Sequence, residues 1–173
     1  PDWIKDMVME NVEKGPNQYP PMMGLPALRE AVAHSNKRFY GLDVDAEKEV
    51  LVTSGATEAL MDSCLALINP GDEAIVIEPY YDCYVPQIKA AGGIPKFVRL
   101  SAPDWQVTEE LLRPAFSDKT KLIILNTPMN PAAKVFSKDE LSIIAKLLIE
   151  FDAYAVCDEV YEHLVFDDTK HIP

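Results

Sequence analysis

The chain has 173 residues, 48% of them hydrophobic and 25% charged, the make-up of one ordinary soluble globular domain with enough apolar side chains for a core. Its formal net charge of −12 argues against a nucleic-acid partner, and no unbroken apolar run approaches the roughly 20 residues that span a bilayer. Cys64, Cys83 and Cys157 lie far apart without Cys-x-x-Cys spacing, so neither a metal site nor a disulfide framework is expected. The natural setting is then a reducing one, the cytoplasm, with an organelle left open.

Residues 1 to 25 read as an N-terminal arm or connector, in which Pro1, Pro16, Pro20 and Pro21 surround a short amphipathic stretch from Trp3 to Val12. Because the chain starts at Pro1 without an initiator methionine, it reads as a piece of something longer, and a missing targeting signal says little. Residues 26 to 173 read as one domain. Pro26 near a first turn, then Leu28, Ala31, Val32 and Phe39 on one face with Gly41 beyond, predict a helix over 26–39. Strands are predicted at Val50–Thr53, Glu73–Ile77, Ile94–Val98, Lys121–Leu125 and Ala153–Cys157, with helices at 57–68, 82–91, 108–116 and 138–151 between them. The last helix carries Leu141, Ile144, Ala145, Leu148 and Ile149 on one face, and Ser137 with Glu140 supplies a capping box. Such alternation predicts an α/β fold, three layers in αβα order around a mostly parallel sheet.

In open parallel sheets ligands bind beyond the carboxyl ends of the strands. The turns Ser54 to Thr57, Glu78 to Tyr84, Asn126 to Pro131 and Asp158 to Tyr161 are therefore expected to converge. In the first, small residues lead into a helix whose free amides suit an anion, with Gly55 allowing close approach and Thr57 adding a hydroxyl; a plain helix cap is the alternative. The stretch matches neither the dinucleotide nor the P-loop glycine pattern. Tyrosines at 80 and 81 offer a ring face to a flat ligand or simply pack over the sheet edge. Two asparagines and two prolines in 126–131 aim amide donors at the crevice, unless turn chemistry explains them. Asp158, ending the apolar run from Tyr154, is either put to use or caps its loop, with Tyr161 three residues on. Together, an anion cradle, an aromatic plate, an amide, a phenol and a carboxylate describe a site for a flat, phosphorylated heteroaromatic ring such as pyridoxal phosphate.

Three motifs, Ser54-Gly-Ala-Thr-Glu-Ala-Leu60, Asn126-Thr-Pro-Met-Asn-Pro131 and Cys157-Asp-Glu-Val-Tyr161, resemble those of fold-type I, pyridoxal-phosphate-dependent aminotransferases of class I/II. Glu78-Pro-Tyr-Tyr-Asp-Cys-Tyr84 and Lys134-Val-Phe136 look closest to the kynurenine aminotransferase and glutamine transaminase K branch. The resemblance runs from Pro1 to Phe166. It implies the N-terminal part of a cofactor-binding large domain and a homodimer acting on an amino acid and a 2-oxo acid. By it, Asp158 would pair with the pyridine nitrogen, Gly55, Ala56 and Thr57 would hold the phosphate, and Tyr81 would stack on the ring. Asn130 and Tyr161 would bond to the ring's 3-hydroxyl oxygen, Asn130 would also reach the substrate carboxylate, and Tyr19 would cross to the neighbouring subunit's phosphate. Met129 stands where the family commonly has a polar residue, and Ala133 where it usually has glycine.

The family's Schiff-base lysine is expected a few tens of residues beyond the aspartate, past Pro173. Lys170 lacks the Ser/Lys-rich context and is not assigned that role. This piece alone is therefore expected to be inactive, although its parent protein transfers amino groups. Three alternatives stand beside that reading: a pyridoxal-phosphate C–S lyase using the same electron sink, a non-catalytic dimerisation module, and a flavodoxin-like binding module.

Overall fold

A computed structural model of the chain describes residues 1–15 and 17–173, so Pro16 of the expected connector lies outside the described residues. The chain forms two compact units, Pro1–Val52 and Thr53–Pro173.

In the first unit, α1 (Asp2–Lys14) takes up the amphipathic stretch, yet none of its residues is buried. Helix α2 (Pro26–Tyr40) begins with proline in its first turn, where a missing amide costs nothing, and stops at Gly41, whose φ of +72° closes the helix in the left-handed region. The buried Arg29 donates from Nε to the Val50 carbonyl at 3.0 Å and from its terminal nitrogen to the Glu47 carbonyl at 2.6 Å. The strand expected at Val50–Thr53 does not form. Residues 50–53 have no ladder partner among the described residues; Arg29 occupies the Val50 carbonyl, and the Val52 amide bonds to the Met23 carbonyl at 3.0 Å. Gly24 permits that contact, because a Cβ there would lie 2.5 Å from the Val52 side chain.

The second unit alternates α3 (Ala56–Leu67), β1 (Glu73–Glu78), α4 (Tyr84–Ala90), β2 (Ile94–Arg99), α5 (Glu109–Leu112), β3 (Thr120–Asn126), α6 (Lys138–Glu150) and β4 (Tyr154–Asp158). All three strand pairings are parallel, in the order β2-β1-β3-β4. The inner strands β1 and β3 carry the near-continuous apolar runs that a sheet covered on both faces demands.

The period of two splits the core. Ile75, Ile77, Ile123 and Leu125 pack with Leu112 of α5 and Ile144 and Leu147 of α6. Ala74, Val76, Leu122 and Ile124 pack with Leu60 and Cys64 of α3 and Ile88 of α4. Helices on both faces give the expected three layers, and each fully buried Ile or Leu contributes about 1.5–3 kcal/mol. The capping box at Ser137 and Glu140 is present and starts α6.

Two details differ from the sequence expectation. The helix at 108–116 is one turn of α-helix followed by a 3-10 turn at Arg113–Ala115, because Pro114 lacks the amide that would continue it. Strand β4, expected at Ala153–Cys157, runs from Tyr154 to Asp158 at the edge of the four strands, with Tyr154 half exposed. From β1 the chain crosses to β2, and from β3 to β4, on opposite sides of the β1–β3 pair. The switch point thus lies where the turns after β1 and β3 meet.

Candidate active site

At that switch point a cavity of about 190 Å³ opens, lined among others by Ala56 and Thr57 of α3, Tyr81 and Tyr84 after β1, Asn126 at the end of β3 with Asn130 beyond it, and Asp158 at the end of β4 with Tyr161 beyond it. All four turns singled out in the sequence contribute, and six of the expected site residues share the one space. Gly55 stands just outside the lining as the residue preceding α3. Tyr19 belongs to the first unit and its side chain is 98% exposed.

The helix start is built from backbone. Gly55 has φ +88° and ψ 165°, a conformation open essentially to glycine, and nothing lies within 4 Å of where its Cβ would be. No side chain caps α3: the Thr53 hydroxyl donates to the Gly55 carbonyl, and the Ser54 amide is taken by the Glu58 carboxylate. The plain-cap alternative therefore fails here, and the first amides of α3 have no intrahelical acceptor. With the helix dipole behind them they favour an anion. Gln87 steadies this end of α3, its amide donating to the Thr57 carbonyl at 2.9 Å.

The carboxylate end is built from long-range contacts. Tyr84 donates its hydroxyl to Asp158 Oδ2 at 2.6 Å, and the Val160 amide donates to Asp158 Oδ1 at 3.3 Å. Asp158 therefore caps its own loop and faces the cavity at once, and two bonds leave acceptor capacity on a carboxylate. Burial, reinforced by the bond to Asp158, pushes the Tyr84 phenol well above its usual range, so it stays a donor at any physiological pH. The Asp158 carbonyl accepts from Asn126 Nδ2 at 2.9 Å and from the Thr127 amide at 3.1 Å, while Asn126 Oδ1 accepts the Asn130 amide at 2.7 Å. Glu159 is separately engaged, 2.9 Å from His171 Nε2; burial raises its carboxyl and His171 opposes that rise.

Tyr84 and Asn126 were both within the quoted motifs, but Tyr84 had no site role, and Asn126 was read only as one of two amides aimed at the crevice, not as a partner of Asp158. Tyr84 sits 74 residues from Asp158 and Asn126 sits 32 from it, so no spacing rule could pair them. Tyr81 meets Tyr84 edge to face, with ring centroids 5.9 Å apart, which leaves the Tyr81 ring on the cavity wall. The loop 128–135 and residues 161–169 enclose a further cavity of about 570 Å³ that shares Asn130 and Tyr161 with the first.

A phosphate suits the backbone cradle, a flat ring suits the Tyr81 face, a ring nitrogen suits Asp158, and a ring oxygen suits Asn130 and Tyr161. The donor set thus fits a phosphorylated pyridine. Among the described residues no cluster of His, Cys, Asp and Glu suits a metal ion.

Comparison with known proteins points the same way. The family model described as aminotransferase class I and II matches residues 1–173. The chain is 42% identical over 166 residues to human kynurenine–oxoglutarate transaminase 3, covering 90% of this chain and 37% of that protein. It is 39% identical over 171 residues to methionine aminotransferase of Escherichia coli, covering 99% of this chain and 44% of that protein. The solved structure of N-succinyldiaminopimelate aminotransferase from Mycobacterium tuberculosis superposes with a TM-score of 0.97 at 40% identity, over 100% of this chain and 46% of that one. The chain spans less than half the length of each of these relatives.

Proposed function

We propose, from the premise that this chain belongs to the class I and II aminotransferases, that the complete protein moves an amino group between an L-amino acid and a 2-oxo acid. The family depends on pyridoxal phosphate. When bound, that cofactor supplies a ring that draws electrons from the substrate's α-carbon as its bond to hydrogen breaks. The observation that carries the reading is Asp158, lining the same cavity as Ala56 and Thr57 at the start of α3 and as Tyr81.

Asp158 would keep a proton on the pyridine nitrogen. Tyr84 fixes the rotation of its carboxylate by holding Oδ2, and Asn126 fixes the backbone beneath it. The amides of Ala56 and Thr57 after Gly55, with the Thr57 hydroxyl, would hold the phosphate, and Tyr81 would cover one face of the ring. Asn130 and Tyr161 would donate to the ring's 3-oxygen, with Asn130 also meeting the substrate carboxylate. Tyr19 would serve the phosphate of a neighbouring subunit, which makes the complete protein a homodimer. The covalent anchor and the base that moves the α-proton are not assigned to any residue of this chain. The relatives' names suggest donors with a thioether or an aromatic side chain.

The test is to supply the complete, cofactor-loaded protein with methionine or kynurenine and a 2-oxo acid. Stoichiometric appearance of the donor's oxo acid and the acceptor's amino acid supports the reading. Ammonia with pyruvate from a cysteine conjugate, without transfer, replaces it with elimination. A loaded protein that does neither overturns it.

A further inference from the structure

The loop that carries Asn130 is pinned from a direction that the site does not explain. Lys134 and Glu140 form an ion pair at 2.7 Å with each side chain only 10% exposed. Glu140 Oε1 also accepts the Val107 amide at 2.9 Å, and Oε2 accepts the Ser137 amide at 2.9 Å, so the carboxylate is locked to the first turn of α6. Burial alone would raise this carboxyl, but Lys134 and the two amides outweigh it and hold the group below its usual range. The Lys134 ammonium also lies 5.1 Å from the centre of the buried Phe136 ring.

Lys134 closes a tight turn. Its carbonyl accepts the Met129 amide at 2.7 Å, and the Met129 carbonyl accepts the Ala133 amide at 2.7 Å. Asn130 lies inside that turn, and its own amide is held by Asn126 on the Asp158 side. The loop is thus fastened at one end to the site aspartate and at the other to α6. A buried ion pair gives little net stability, since desolvation roughly cancels attraction. What it does give is a fixed position for the turn.

We propose that the Lys134–Glu140 pair is a positioning device that sets where Asn130 presents its side-chain amide. The inference rests on the role given to Asn130 above.

The experiment uses the complete, cofactor-loaded protein. Lys134→Met alone strands a buried carboxylate and can prevent folding, so the test variants are Lys134→Met/Glu140→Gln, which removes both charges while keeping an acceptor for the Val107 and Ser137 amides, and Glu140→Gln, which removes only the charge of the carboxylate. Asn130→Ala is the reference. The readouts are the melting temperature, the pH midpoint of the bound cofactor's near-ultraviolet to blue absorbance, and kcat/KM for the amino acid.

The expected result is a double variant that melts within a few degrees of wild type, yet shifts the absorbance midpoint in the same direction as Asn130→Ala. Its kcat/KM should fall roughly tenfold to a hundredfold, as a displaced contact does. A wild-type midpoint and wild-type kcat/KM in either pair variant overturns the proposal while leaving the proposed function standing. If Asn130→Ala itself moves neither readout, the role of Asn130 falls and this inference with it.

Discussion

The two ends of the candidate site are made in opposite ways. At the start of α3, the cavity is lined by Ala56 and Thr57, whose amides open the helix and are set by one glycine conformation within a few consecutive residues. At Asp158, the groups are side chains delivered from the start of α4 and the ends of β3 and β4, and the carboxylate is held by a tyrosine 74 residues away. A backbone cradle tolerates changes of side chain, except where the side chain forbids the backbone. A side-chain network has no such tolerance, because each member satisfies another.

Breaking the network at its centre gives the largest effect. Asp158→Asn in the complete enzyme is expected to cut turnover by orders of magnitude while sparing most of the bound cofactor, measured by steady-state rates and absorbance. Near-normal turnover would remove the central role of this carboxylate. In the cradle, Gly55→Ala forces an alanine into a glycine-only conformation at a cost of about 1–3 kcal/mol. The strain would tilt the amides of Ala56 and Thr57 that follow it, so phosphate or cofactor affinity, read by titration, should fall with stability. Unchanged affinity would mean that the helix start is not the anion site.

Tyr84→Phe keeps the ring and removes one hydrogen bond to a carboxylate, for a loss of about 1.5 kcal/mol in denaturant unfolding. A neutral result would show that Asp158 is oriented without it. The smallest effect belongs to the cradle's side chain: Thr57→Val is expected to weaken phosphate binding by a few-fold, about 1 kcal/mol, since the backbone amides remain. A loss as large as that of Gly55→Ala would reverse the contrast between the two ends.

Another pH-dependent property follows from Glu140. Its carboxyl is held below the usual value of 4.5, so the stability that it contributes is fully present above that pH and is lost as the pH falls through the lower folded value. Stability measured by circular dichroism should therefore fall less steeply with acid below pH 4.5 in Glu140→Gln than in wild type.

Much of this architecture was legible in sequence because its signals are short. The apolar runs Ala74–Ile77 and Leu122–Leu125, the capping box at Ser137 and Glu140, and the helix face through Ile144 and Leu148 each need only a few neighbours to be recognised. The run at Val50–Val52 has the same local look and forms no strand, because a strand exists only where another strand supplies hydrogen bonds. Ala133 was legible as a departure from the family's glycine, and it does adopt a left-handed φ of +54°, the conformation that glycine takes without strain.

The sequence by itself determined the alternation of strands and helices and the layered class of the fold, since these follow from periodicity and from local torsional preference. Only the tertiary structure decided that Tyr84 grips Asp158, that Asn126 joins Asp158 to Asn130, and that Lys134 is spent on Glu140. The contacts to Asp158 depend on the strand order β2-β1-β3-β4, which brings chain segments far apart in sequence within hydrogen-bond distance, whereas Lys134 meets Glu140 only because the turn before α6 buries both.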